Sequence, residues 1–100
     1  MVTPEEFANR DAIGVRTFLS DADGTGDVLK QDGNTGDLIF SVPQLVSNLS
    51  QTLTLFPGDI IFTGTPSGVG IGKKPAEFLK KGQTLITRIE TIGELRNRLV

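Results

Sequence analysis

One hundred residues, 37% of them hydrophobic and 12 of them Gly, suffice for one domain with a modest core. Ten basic residues against twelve acidic ones leave a net charge of −2, without the concentrated positive field that nucleic-acid binding requires. The chain has no Cys and no His, which excludes disulfides, thiol chemistry, the commonest zinc ligand and the commonest general base.

No apolar run approaches the roughly 20 residues of a membrane span. Met1-Val2-Thr3-Pro4-Glu5-Glu6 has neither the basic nor the apolar region of a signal peptide. A soluble, cytoplasmic protein is the expectation, with no membrane and no nucleic-acid partner. Lys73-Lys74 and Lys80-Lys81 are read as solvated loop charges.

Thr3-Pro4-Glu5-Glu6 predicts a single helical turn, with Thr as the cap and Pro at the first position. Ile13 to Leu19 alternates as a strand does. Ser20 to Asp27 is a polar turn, and Val28 to Gln31 begins a return strand, so this stretch reads as a hairpin with an enlarged tip. Asp32-Gly33-Asn34-Thr35-Gly36-Asp37 is turn chemistry throughout. A helix then opens at Ser41, with Gln44 completing a capping box and Pro43 in the first turn. Val42, Leu45, Val46, Leu49 and Leu53 form its apolar stripe. Pro57-Gly58 marks a turn. Asp59 to Thr63 is rich in β-branched and aromatic residues and predicts a buried strand. The glycines of the stretch from Gly64 to Gly72 argue against regular structure. Lys73 to Gly82 is a loop, Gln83 to Thr91 a strand, Gly93 a tight turn and Glu94 to Leu99 its return. The fold class is mixed α/β, mostly β, with one main helix.

The loop after Asp59–Thr63 is the best candidate site. It presents two hydroxyls and several backbone N–H groups, and Gly64 and Gly68 allow close approach of a ligand. It reads equally as a Gly-rich connector. A Walker loop is excluded because Ser67 and Lys74 stand where Gly and Ser or Thr are required. A dinucleotide fingerprint is excluded because Gly68, Gly70 and Gly72 are spaced wrongly and Pro75 follows instead of a helix. Asp21 to Asp27 touches the pattern of a calcium loop, but its flanks read as strands, which favours a solvated hairpin tip. Gln31-Asp32-Gly33-Asn34-Thr35 either orients a polar substrate or closes a strand, the latter being preferred. No two carboxylates are spaced for acid–base work or metal binding, and no catalytic residue can be named.

In order along the chain, Val2-Thr3-Pro4-Glu5-Glu6-Phe7, Gln31-Asp32-Gly33-Asn34-Thr35, Ile39-Phe40-Ser41-Val42-Pro43, Leu55-x-Pro57-Gly58-Asp59, Thr63-Gly64-Thr65-Pro66-Ser67-Gly68-Val69-Gly70, Phe78-Leu79-Lys80-Lys81-Gly82 and Ile92-Gly93-Glu94-Leu95-Arg96-Asn97-Arg98 resemble the fumarylacetoacetate hydrolase family. The set covers nearly the whole chain. The resemblance implies part of a β-roll, with residues 1–100 as the C-terminal portion of a catalytic domain. It implies a Mg2+ (or Mn2+ or Ca2+) cofactor in the complete domain, a small diketo, oxo or enol acid as substrate, and a homodimer. The metal's Lewis-acid role is to stabilise the developing enolate. Cleavage, decarboxylation and isomerisation all occur in such enzymes. The second Thr of their T-G-T-P motif contacts substrate, which falls on Thr65, with the Gly64 backbone beside it. The family's metal ligands, a Glu-x-Glu pair and a later Asp, precede the stretch that Val2-Thr3-Pro4 resembles. The expectation is therefore a fragment without its N-terminal metal-binding part, inactive alone. The competing expectations are a non-catalytic association module and an inactive relic.

Overall fold

A computed structural model describes residues 3–100; Met1, and Val2 which begins the first of the matched motifs, lie outside them. Pro4–Glu6 forms one 3-10 turn, and the Glu6 carboxylate accepts the Thr3 N–H. Four antiparallel strands form one sheet: β1 (Gly14–Ser20), β2 (Val28–Asn34), β3 (Thr84–Ile89) and β4 (Gly93–Arg98). Their order across the sheet is β2-β1-β3-β4.

The period of two sorts the side chains. Val15, Thr17 and Leu19 pair with Ile89, Thr87 and Leu85 on one face. Arg16 and Phe18 pair with Arg88 and Ile86 on the other. Ile86 stands between Phe18 and Arg96 and is the one fully buried hydrophobic side chain among the described residues. Asp32, Arg16, Arg88 and Glu94 lie in register across all four strands. Arg16 donates to Asp32 at 3.0 Å, and Arg88 and Arg96 both donate to Glu94. Those hydrogen bonds, the one from Arg88 first, hold the Glu94 carboxyl below its ordinary pKa. Arg88 also lies over the Phe18 ring, 4.8 Å from its centre.

The helix α1 (Val42–Thr52) starts where its capping box requires: Ser41 N–H donates to Gln44 Oε1 at 2.8 Å, and Ser41 Oγ accepts from Gln44 N–H. The hairpin tip is closed by its own bonds, with Asp23 accepting from both the N–H and the hydroxyl of Thr25. These bonds lower the Asp23 carboxyl, the one from the hydroxyl most.

Three expectations are corrected. Residues 32–34 continue β2 rather than forming a turn, because they pair with Gly14, Val15 and Arg16; the turn is a 3-10 turn over Thr35–Asp37. Gly70–Gly72 forms a 3-10 turn inside the Gly-rich stretch. Asp59 to Thr63 is neither a strand nor buried, with Ile60 80% and Phe62 94% exposed. High β-propensity makes a strand only where a neighbour takes its hydrogen bonds and covers its side chains, and no described strand pairs with this segment.

Much apolar surface remains uncovered. Ile39 and Phe40 are exposed, as are Val42, Val46 and Leu53 of the helix stripe, while Leu45 and Leu49 are half-buried. The radius of gyration is 16.1 Å, against about 13 Å for a compact domain of this length. Among the described residues the sheet is open, with β2 and β4 as its edge strands, and its burial is incomplete.

Candidate functional site

The strand β2 is the seat on which the Thr63-Gly64-Thr65-Pro66-Ser67-Gly68 loop rests. Gly33 presents no Cβ, and the Pro66 ring occupies that space: a Cβ there would lie 2.6 Å from Pro66 Cβ. Gln31 Nε2 donates to Thr65 Oγ1 and to the Pro66 carbonyl, both at 2.9 Å. Gly68, at φ +106, lies so near β2 that a Cβ would fall 2.0 Å from the Lys30 carbonyl oxygen. The two motifs read separately from the sequence are therefore one structure.

The two glycines singled out for ligand approach do different things. Gly64 has φ +98 and nothing within 4 Å of an ideal Cβ, so its backbone borders open space. Gly68 has no such freedom, because the Lys30 carbonyl fills the room its hydrogen leaves. Its place as a ligand-approach residue is corrected to a packing role.

Gly64, Thr65, Pro66 and Ser67 line a cleft with Asp32, Asn34, Thr35 and Asp37. Thr65 is exposed there. Asn34 Oδ1 accepts from Gly36 N–H, and Thr35 Oγ1 accepts from Ile13 N–H at 2.8 Å, so both side chains shape the wall through backbone bonds. Asp32 is paired with Arg16. Among the described residues, no three Asp, Glu, His or Cys side chains come together in a way that could hold a metal ion.

On the other side of Gln31, a second cleft has an apolar lining of Leu19, Val69, Phe78, Leu79 and Leu85. Lys30 and Lys73 there share one oxygen of Glu77 at 2.9 and 3.0 Å. Lys73 is thus an ion-pair partner rather than a solvated loop charge; Lys74, Lys80 and Lys81 are exposed as expected. The sequence did not show either contact: Lys73 and Glu77 lie in a loop, where i,i+4 spacing predicts no pairing, and Lys30 is 47 residues from Glu77. Hydrogen bonding to Lys30 first, then Lys73, holds the Glu77 carboxyl below its ordinary value. A depressed folded pKa means that the tie is intact above the ordinary carboxylate range and lost as pH falls through the lowered value. A carboxyl-carbon NMR titration should therefore place the Glu77 midpoint below that of an unpaired glutamate, and Lys30→Met should raise it. An unshifted midpoint would mean the three groups do not meet in solution.

A four-stranded sheet with one helix, carrying a T-G-T-P loop seated on its edge strand, defines the class. The chain belongs to the fumarylacetoacetate hydrolase family: the model of the fumarylacetoacetate (FAA) hydrolase C-terminal region matches residues 1–100. It is 49% identical over 71 residues to the oxaloacetate tautomerase YisK of Bacillus subtilis, covering 71% of this chain and 24% of that protein. The fumarylacetoacetate hydrolase of Exiguobacterium antarcticum superposes with TM-score 0.84 at 36% identity, over 98% of this chain and 33% of that one. The maleylpyruvate hydrolase of Sphingobium sp. SYK-6, solved with manganese(II) and pyruvate, superposes with TM-score 0.78 at 27% identity, over 100% and 33%. The expected mostly β architecture with one helix is thus the fold of this family. The chain spans about a third or less of the length of these relatives.

Proposed function

We propose that this chain is the substrate-side portion of a divalent-metal-dependent enzyme that tautomerises or cleaves small oxo or enol acids. The observation that carries the reading is the exposed Thr65 hydroxyl beside the open Gly64 backbone at the lip of a preorganised cleft. In this role Thr65 donates its hydroxyl proton to a carboxylate or enolate oxygen, and the Gly64 backbone lies close enough to the substrate to orient it. The likeness to an oxaloacetate tautomerase and to a hydrolase solved with pyruvate supports the substrate class.

The described residues do not by themselves fit a divalent ion. In this reading its carboxylate ligands belong to a further segment, and the uncovered apolar surface of Ile39, Phe40, Ile60 and Phe62 supports a covering partner. The metal, when bound, supplies electrophilic stabilisation of the enolate. A homodimer in the cytoplasm remains part of the proposal.

The test is a chimera in which residues 1–100 replace the matching region of the Bacillus tautomerase. Metal-dependent turnover of oxaloacetate or of an acylpyruvate is expected. A chimera with one cooperative thermal transition but no turnover over a broad oxo-acid panel would sink the reading.

The same exposed apolar surface favours a second reading, association without catalysis, since uncovered patches of this kind mark interaction sites. Sedimentation of the chain should then depend on concentration; a monomer at every concentration would remove this reading.

A further inference from the structure

Gln31 stands on β2 opposite the buried Thr17. Its side-chain nitrogen makes two bonds at once, to Thr65 Oγ1 and to the Pro66 carbonyl oxygen, each 2.9 Å long. A carbonyl oxygen can only accept, so the bond to Pro66 settles which end of the amide faces the loop: the donor end. A carboxamide nitrogen carries two protons, enough to serve both acceptors.

The chemical consequence falls on Thr65. A hydroxyl offers one proton and two lone pairs. With the Gln31 amide donating to the oxygen, Thr65 cannot give its proton to Gln31 and keeps it for another acceptor. The geometric consequence is that one group holds both the Thr65 side chain and the next carbonyl along the loop. Gly33, under Pro66, and Gly68, against the Lys30 carbonyl, fix the same loop from either side of Gln31.

We infer that Gln31 is the positioning residue of this site, holding Thr65 as an obligate proton donor toward the carboxylate or enolate oxygen of the substrate. The inference rests on the role proposed for Thr65 above. Gln31 does not touch the substrate; it acts through Thr65.

Four variants of the metal-loaded chimera test it, two Gln31 substitutions, Thr65→Val and one double, each read as kcat and KM for oxo-acid turnover. Gln31→Met keeps the length and removes both donors; it should lower kcat about tenfold, the scale of one lost hydrogen bond, with KM little changed. Thr65→Val should lower kcat as well, and adding Gln31→Met to it should cost nothing further, because both act through one hydroxyl. Gln31→Glu turns the donor into an acceptor at neutral pH and draws the Thr65 proton away. Its activity relative to wild type should rise as pH falls and the carboxyl regains a proton to donate.

If Thr65→Val leaves the rate unchanged, the reading of Thr65 fails and this inference with it. If Thr65→Val is impaired while Gln31→Met is not, or if the two losses multiply, the inference alone fails. A flat pH ratio for Gln31→Glu also overturns it. The clamp itself is visible in the chain without any assay: Thr65→Val should move a Gln31 side-chain amide proton resonance, and unmoved resonances would show that the bond is absent in solution.

Discussion

Gly68→Ala is expected to pull the Thr63-Gly64-Thr65-Pro66 loop off β2 and to destabilise the protein by roughly 3 kcal/mol. Two costs combine. The residue sits at φ +106, where a side chain is strained, at roughly 1–2 kcal/mol. The new methyl would also lie 2.0 Å from the Lys30 carbonyl oxygen and 3.1 Å from its carbon. Those are backbone atoms of a paired strand, so relief requires breaking the β1–β2 ladder or lifting the loop. Gly24→Ala is the control: it also has positive φ, but nothing lies within 4 Å of an ideal Cβ. It should cost only the conformational part, on the order of 1 kcal/mol. Chemical denaturation of the two variants side by side checks this. Equal losses would mean the loop is not seated on Lys30. Gly70→Ala should also destabilise, through the clash alone, since its methyl would meet the Glu77 carbonyl oxygen at 1.7 Å while its φ is not positive.

With Thr65 in the role proposed for it, Thr65→Val should lower kcat/KM of the metal-loaded chimera by about a hundredfold, the usual loss when one donor to a developing oxyanion is removed. Valine keeps the shape and removes only the hydroxyl. Thr65 is exposed, so stability should change by no more than about 1 kcal/mol. Thr65→Ser should retain most of the rate. Measured rates for all three proteins at saturating metal distinguish the outcomes: an unchanged rate in Thr65→Val removes Thr65 from the site, and a large loss of stability would make the hydroxyl structural.

The features legible in the sequence are those fixed by near neighbours along the chain. The capping box of Ser41 and Gln44 spans three residues, and the helix begins where it says. Alternation from Gly14 to Ser20 decides which side chains share a face before any partner strand is known. Pro4 and the acidic residues after it place the first turn. The family was legible too, because its motifs are short runs in order.

What lay outside the sequence was every consequence of a distant contact. Asp59 to Thr63 has the composition of a strand, yet a strand needs a partner's hydrogen bonds, and none of the described strands supplies them. Gly64 and Gly68 look alike in the motif, but only the fold shows one beside open space and the other against a carbonyl. Gln31 and Thr65 are 34 residues apart, and a hydrogen bond between them exists only because β2 and the loop are brought together. By itself the sequence determined the family, the helix and its cap, and the pattern of faces, all governed by local backbone preference and short-range periodicity. Only the tertiary structure decided which glycine is free, which amide holds Thr65 and which apolar surface is left uncovered, because each depends on what another part of the chain places next to it.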